Sequence, residues 1–190
     1  MDSKKRVGIA LCGSYCTYEQ VFREIEKLAE RYDLVPIMSD TAAETDTRFG
    51  LAADHIRHLA ALTGKTVVTT IEEAEPLGPK TPMEALVIAP CTGNTLSKLA
   101  HGVTDSAVAM AAKAHLRNGR PLVLAFSTND GLSGSAENIA RLLNRKHVYF
   151  VPFRQDDPEK KPNSLQADFT LIGDAIEAAL KGEQIQPILI

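Results

Sequence analysis

The chain has 190 residues, of which 44% are hydrophobic and 24% charged, and its 21 basic and 24 acidic side chains leave a net charge of −3. This length fits a single domain over residues 1–190, and because there is no basic patch we expect no nucleic-acid partner. The apolar runs are too short to span a membrane, and no signal peptide is recognisable. We therefore expect a cytoplasmic protein without a membrane partner.

The chain begins with a predicted strand, helix and strand. Apolar residues at 6–12 predict the first strand, and those at 34–38 predict the second. Between them, residues 17–20 read Thr-Tyr-Glu-Gln, the T-x-x-Q form of a capping box. Behind this box, apolar residues recur at helical spacing as far as Tyr32. This order is typical of the start of an α/β protein.

The next stretch predicts a helix, a short strand and a loop. The helix covers 48–62 and is ended by Gly64, and the third strand covers 66–70. Residues 75–82 contain three prolines and a glycine, so they predict a loop.

The second half of the chain continues the alternation of strands and helices. Its apolar runs predict strands at 85–89, 121–126 and 148–151. Helical spacing predicts helices at 94–102, 105–118, 136–144 and 165–182. Buried strands separated by helices predict a three-layer α/β/α fold around a parallel sheet of about six strands.

In such open sheets, ligands bind outside the carboxyl ends of the strands. The loops at those ends are 13–16, 39–41, 91–95, 127–131 and the stretch after Val151. Four of the five are rich in Ser, Thr, Gly or Asn. Neutral hydroxyls, amides and backbone N–H groups suit a phosphate or the edge of a flavin ring. The sequence therefore predicts a cofactor site at this edge of the sheet.

The segment from Ala89 to Asp105 reads APCTGNTLSKLAHGVTD. It resembles the P-A/C-S-x-N/K-T-x-x-K-x-A-x-G-x-x-D stretch of the flavoprotein family, which includes flavin-containing cysteine decarboxylases and flavin prenyltransferases. The likeness extends to GIALCGSYCTY after the first strand, Ser39 after the second and NGRPLVLAFSTND at the fifth, and so covers nearly the whole chain. It implies a Rossmann-like or flavodoxin-like fold, bound FMN, and a homo-oligomer built as a trimer or a multiple of trimers.

Within the family, the likeness implies an oxidoreductase subunit that acts on a small dicarboxylate during sporulation. A separate dehydrogenase subunit would be its partner and would bring NADP. The alternative is a non-catalytic partner subunit on a flavoprotein scaffold. A flavin-dependent decarboxylase or prenyltransferase is the weakest alternative. The histidine that cysteine decarboxylases carry before the central motif is absent, and only Asn129 remains of their P-x-M-N motif. The arginine and glutamate of the R-E-T-P motif that flavin prenyltransferases carry at that point are also missing.

The resemblance and the loop positions together predict the cofactor contacts, whereas catalytic residues stay unassigned. The predicted FMN contacts are Gly13, Ser14, Ser39, Thr92, Gly93, Asn94, Thr95, Ser127, Thr128 and Asn129. For Asn94 the alternative is a plain helix N-cap, and for the two serines it is turn chemistry. Asp130 is either functional or the cap of the following helix. The first turn lacks a G-x-G-x-x-G pattern, which favours FMN over a dinucleotide.

Other chemistry-bearing residues have simpler interpretations. The three cysteines, Cys12, Cys16 and Cys91, are predicted to be small reduced hydrophobes near packed turns. His55 and His58 form half a metal site at most, so we expect no metal and interpret the pair as a solvated helix face. Arg154, Lys160 and Lys161 surround a loop that is either solvated or a contact for substrate or partner. His101 is expected to close a helix before Gly102.

Overall fold

The computed structural model describes residues 4–78 and 80–190. Its strands are β1 (Arg6–Leu11), β2 (Asp33–Met38), β3 (Ala85–Cys91), β4 (Leu122–Thr128), β5 (Val148–Phe150), β6 (Phe153–Arg154) and β7 (Leu165–Ala167). Its helices are α1 (Tyr18–Arg31), α2 (Asp40–Glu44), α3 (Ala52–Thr63), α4 (Ile71–Ala74), α5 (Gly93–His101), α6 (Ala107–Leu116), α7 (Ala136–Leu143) and α8 (Ile172–Leu180). Short 3₁₀ turns occupy Tyr15–Thr17, Glu75–Leu77 and Phe169–Leu171.

A mostly parallel sheet with flanking helices forms the centre of the fold, as predicted. The parallel strands run in the order β2-β1-β3-β4, and β5 pairs with the first half of β4. All seven residues of β3 are buried, because this strand lies in the middle of the sheet with helices over it. That one domain spans 1–190 stays a prediction.

The far edge of the sheet differs from the prediction. Five strands are parallel, and β7 pairs antiparallel with the carboxyl end of β4 at Ser127 and Thr128. The short β6 pairs antiparallel with β7. The predicted helix over 165–182 is therefore wrong at its start, where Leu165 packs against Gly131 and the chain is extended. Helix α8 begins only at Ile172.

The predicted third strand over 66–70 is also wrong. Only Val68 bridges to Ile37 of β2. Thr70 then turns away as the N-cap of α4, where its side chain and that of Glu73 form a capping box. The predicted loop over 75–82 includes Pro79, which lies outside the described residues, and a 3₁₀ turn occupies its start at Glu75–Leu77.

The predicted box over 17–20 does not form. Thr17 has helical backbone angles because the 3₁₀ turn precedes it, and its hydroxyl donates to the carbonyl of Ser14 at 2.8 Å instead. The helix predicted over 48–62 begins at Ala52, and the short helix α2 was not predicted. Within 4–78 and 80–190, no helix is long and apolar enough to cross a membrane.

Candidate functional site

The strand order places a polar cleft at the point where the chain switches direction across the sheet. Chain connections run outward from β1 toward β2 on one side and from β3 toward β4 and β5 on the other. A cleft of about 220 Å³ opens at the carboxyl ends of β1 and β3. We call it the switch-point cleft; it is lined by Cys12, Gly13, Ser39, Asp40, Thr41, Thr92, Asn94, Thr95, Lys98, Asp105 and Ser106. Open α/β sheets bind ligands at such a position.

Thr92 follows β3 and caps α5. Its hydroxyl accepts a hydrogen bond from the backbone N–H of Thr95 at 3.1 Å, and the two threonine hydroxyls lie 3.0 Å apart. The interpretation of Asn94 as the N-cap is therefore wrong. Asn94 lies on the first turn of α5, exposed and facing the cleft.

Gly93, at the start of α5, lets the loop after β4 pack directly on the helix terminus. A Cβ at this position would lie 2.6 Å from the Thr128 hydroxyl and 2.7 Å from that of Ser135. Any side chain there would push the two loops apart. The structure thus brings the predicted residues of 91–95 and 127–131 together by close backbone approach.

Asp130 is the centre of a small polar cluster against this helix start. Its Oδ1 accepts hydrogen bonds from the hydroxyls of Thr128 and Ser135, the second at 2.8 Å. The hydrogen bond from Thr128 is the main reason why the pKa of Asp130 is below its usual value. The N-cap position of α7 belongs to Ser135, so the interpretation of Asp130 as a helix cap is wrong.

Hydrogen bonds tie the remaining predicted loops together. Ser14, in the left-handed conformation, donates from its hydroxyl to the carbonyl of Ser127 at 2.9 Å. The hydroxyl of Tyr15 donates to the carbonyl of Thr41 at 2.7 Å. Ser39 caps α2 by accepting from the N–H of Ala42 at 3.3 Å. The loops after β1, β2, β3 and β4 therefore form one connected edge.

The ten predicted contacts divide into two groups around this edge. Those that line the cleft are Gly13, Ser39, Thr92, Asn94 and Thr95. Those that lie outside its lining are Ser14, Gly93, Ser127, Thr128 and Asn129. Asn129 is exposed in the loop after β4.

An ion pair in the cleft was not predicted from the sequence. Lys98 Nζ lies 2.8 Å from Asp105 Oδ1, and this hydrogen bond lowers the pKa of Asp105. A signal was present, because the K and the D are fixed letters of the quoted family motif. Among the described lining residues no histidine occurs, so neutral hydrogen-bonding groups, the Lys98–Asp105 pair and the carboxylate of Asp40 define the chemistry of the cleft.

The cysteines contribute no reactive thiol to the cleft. Burial raises the pKa of Cys12 to about 11, and burial also raises that of Cys91 well above its usual value. Both are neutral, packed thiols, as predicted. Cys16 is exposed instead, which corrects the expectation for that residue.

The interpretation of His55 and His58 as a solvated helix face is incomplete, because both rings contact aromatic side chains of α1. His58 stacks on Phe22 with ring centroids 4.3 Å apart, and His55 meets the edge of Tyr18 at 4.8 Å. In the part of the chain that the structure describes, no group of three His, Cys, Asp or Glu side chains is placed to hold a metal. His101 ends α5 before Gly102, as expected, and its ring contacts the carbonyl of Ser97.

The loop beyond β5 forms the connection between β6 and β7. Lys161 pairs with Asp156 at 3.1 Å, and Arg154 lies 4.0 Å from Asp168. The N–H of Leu132 donates to the carbonyl of Asn163, which holds this loop on the turn after β4. Two of the three basic side chains are thus already paired.

These features define a flavodoxin-like, Rossmann-type α/β protein. The chain belongs to the flavoprotein family, whose model matches residues 1–173. It is 50% identical over 187 residues to the B subunit of dipicolinate synthase from Bacillus subtilis (strain 168), covering 98% of this chain and 94% of that one. The crystal structure of the dipicolinate synthase B subunit from Bacillus halodurans C matches with a TM-score of 0.91 at 47% identity, over 99% of this chain and 97% of that one. The FMN-dependent cysteine decarboxylase SpaF shares the fold, with a TM-score of 0.64 at 20% identity over 95% and 98% of the two chains.

Proposed function

We propose that this chain is the B subunit of a dipicolinate synthase. The observation that carries the proposal is the 50% identity to such a subunit across 98% of the chain. The chain would work with a dipicolinate synthase A subunit, a dehydrogenase that uses NADP, to form dipicolinate from a dihydrodipicolinate-level intermediate during sporulation. The substrate would be a small dicarboxylate.

FMN is the cofactor that the switch-point cleft suits best. In the strand order 2-1-3-4-5, FMN sites lie between the first and third strands, which is where the cleft opens. The start of α5 offers first-turn N–H groups and the positive end of its dipole to hydrogen-bond acceptors on the flavin ring. Gly13, Ser14 and Ser39 would hold the phosphate end. Thr92, Gly93, Asn94, Thr95, Ser127, Thr128 and Asn129 would hold the remainder of the cofactor.

The size of the cleft supports a homo-oligomer. At about 220 Å³ it is smaller than the roughly 300–1,000 Å³ of typical ligand pockets. A second copy of the chain, in a trimer or a multiple of trimers, would complete the enclosure. Bound FMN would supply the redox chemistry, and the residues of this chain would orient it and exclude water.

A non-catalytic role is the second candidate, and one observation favours it. Within the described lining, Cys12 is a neutral thiol and Asp105 is paired with Lys98, which leaves Asp40 as the only carboxylate without an ion pair. Such a cleft has little capacity for acid–base catalysis. A decarboxylase or prenyltransferase activity is disfavoured further by the departures from their motifs.

The first experiment measures flavin retention. Purified chain is incubated with FMN and passed through gel filtration, alongside Asn94→Ala and the control Asn144→Ala, whose exposed side chain lies at the end of α7. We expect a yellow protein and weaker retention in Asn94→Ala only. A colourless wild-type protein contradicts the cofactor assignment, and recovered NADP favours a dinucleotide site.

The second experiment measures dipicolinate formation by the reconstituted A and B subunits, with Asn94→Ala and Ser127→Ala. We expect activity to fall in both while the A–B complex still forms. If both variants keep full activity and FMN is dispensable, the oxidoreductase assignment fails and the non-catalytic role remains.

A further inference from the structure

A pocket larger than the switch-point cleft lies outside it. It has a volume of about 510 Å³, which falls in the range of ligand sites. We call it the aromatic pocket; it is lined by Tyr15, Cys16, Tyr18, Glu19, Phe22, Arg23, Glu26, Phe49, His55 and His58. It shares no lining residue with the cleft. The hydrogen bond from Tyr15 to Thr41 joins the lining of this pocket to the lining of the cleft.

The walls of the aromatic pocket are rings in mutual contact. Tyr15 and Tyr18 have centroids 5.2 Å apart, and Tyr18 meets Phe22 edge to face at 5.7 Å. His58 stacks on Phe22 from the opposite helix, α3. Phe49 is 45% exposed, although most large apolar side chains of this protein are buried. A set of rings that is fixed in place and open to solvent is a preformed surface for a ligand.

Glu26 is the carboxylate of the described pocket lining that could pair with a cation. Arg23 is the only lysine or arginine of the described lining, and it is already paired with Glu19. Glu26 lies on the same helix, and no ion pair within 4–78 or 80–190 involves it. The lining therefore carries two carboxylates against one guanidinium. The guanidinium of Arg48 lies at the edge of the pocket, over Phe49. A ligand cation would gain charge pairing with Glu26 and contact with the rings.

The chain already shows this chemistry at the edge of the pocket. The guanidinium of Arg48 lies over the ring of Phe49, 4.8 Å from its centroid. Leu51, next to this turn, is 52% exposed. One face of Phe49 thus already holds a guanidinium of the chain itself, which a ligand cation would displace or oppose across the ring, and apolar contacts are available beside it.

We propose that the aromatic pocket is a binding site for an organic cation, namely a guanidinium or alkylammonium group held between the rings and Glu26. The cation would be either a free small molecule or an arginine or lysine side chain of a bound protein. The proposal does not depend on FMN or on dipicolinate formation.

The test uses the full chain and two neutral-capped probes of the same shape. N-acetylarginine methylamide carries the cation, and N-acetylcitrulline methylamide is its uncharged counterpart. Binding is followed by proton NMR of the His55 and His58 ring C–H signals, which are assigned with His→Gln variants. We expect the arginine probe to shift both signals and the citrulline probe to bind at least about five-fold more weakly.

Variants locate the contact. Glu26→Gln and Phe49→Ala should each weaken arginine binding about two- to five-fold. Glu30→Gln, on the same helix but outside the pocket, is the matched control and should bind as the wild type does. Equal binding of the two probes, or equal effects of Glu26→Gln and Glu30→Gln, overturns the proposal, as does an absence of shifts at both histidines.

A third probe identifies the source of the cation. Acetyl-Leu-Arg-Leu-amide adds apolar neighbours that could contact Phe49 and Leu51. Tighter binding of this tripeptide than of the arginine probe assigns the site to a protein side chain. Equal binding assigns it to a free small molecule. Loss of FMN or of synthase activity in these variants is not expected, so failure here is distinguishable from failure of the proposed function.

Discussion

Replacing Gly93 by alanine tests whether the close approach of the two loops organises the site. The new Cβ would lie 2.6 Å from the Thr128 hydroxyl and 2.7 Å from the Ser135 hydroxyl, whereas ordinary contacts begin at 3.4 Å. Both hydroxyls donate to Asp130, so they cannot retreat without loosening those hydrogen bonds. The substitution therefore strains a packed polar cluster.

The expected magnitude follows from opposing effects. Overpacking costs about 1–3 kcal/mol, and a weakened hydrogen bond to a charged group adds about 1 kcal/mol. Replacing a helical glycine by alanine stabilises the helix by up to about 1 kcal/mol. We expect Gly93→Ala to lower the free energy of unfolding by about 2 kcal/mol. For a chain of this size, that corresponds to a fall in Tm of about 4–8 °C.

The assay is urea denaturation followed by far-ultraviolet circular dichroism, since the chain has no tryptophan. The matched control is Gly173→Ala in α8, where the nearest atom is the mobile end of Arg31 at 3.3 Å. That variant should be as stable as the wild type or slightly more stable. When Thr128→Ala and Ser135→Ala are already present, Gly93→Ala should lower the free energy of unfolding by a smaller amount. If it lowers stability equally in both backgrounds, or behaves like Gly173→Ala, the steric argument is refuted.

Two further predictions concern pH. The pKa of Asp130 is lowered on folding, so its contribution to stability is present above about pH 3.9 and is lost as the pH falls through the folded value. The stability gap between the wild type and Asp130→Asn should therefore narrow in acid; a gap that is constant down to acid unfolding would contradict this. Burial lowers the pKa of His115 to about 4, and its Nε2–H donates to the carbonyl of Pro121 at 2.9 Å. Because the neutral form of His115 is favoured on folding, the free energy of unfolding should fall as the pH drops from about 6.5 towards that value. His115→Gln should reduce this pH dependence, whereas the exposed control His101→Gln should leave it unchanged.

The position of the polar edge that carries the switch-point cleft could be predicted from the sequence. Buried apolar runs separated by helices imply a parallel sheet, and such a sheet gathers the carboxyl-end loops on one edge. Ser39, Thr92 and Asn94 were placed at that edge from their positions after strands, and the structure puts them in the lining of the switch-point cleft. Local pattern was sufficient because each loop is attached directly to a strand.

Tertiary contacts determined the parts of the fold that the sequence pattern did not predict. The apolar spacing that begins at Leu165 suits a helix, yet residues 165–167 are extended because they pair with the end of β4. That strand partner, and the space over Gly131 that Leu165 fills, are present only in the folded chain. In the same way, Thr17 and Thr70 both begin capping-box patterns, and only Thr70 forms one. A preceding 3₁₀ turn, which depends on contacts of Ser14 with a distant loop, removes the capping geometry from Thr17.

The aromatic pocket is the clearest case of a feature that the linear sequence conceals. His55 and His58 are one turn apart on α3, and spacing alone presents them as a surface pair. The rings that they contact, Tyr18 and Phe22, belong to α1 and are far away in the sequence. Spacing along one helix determines which residues share a face, and only the packing of two helices determines what that face meets.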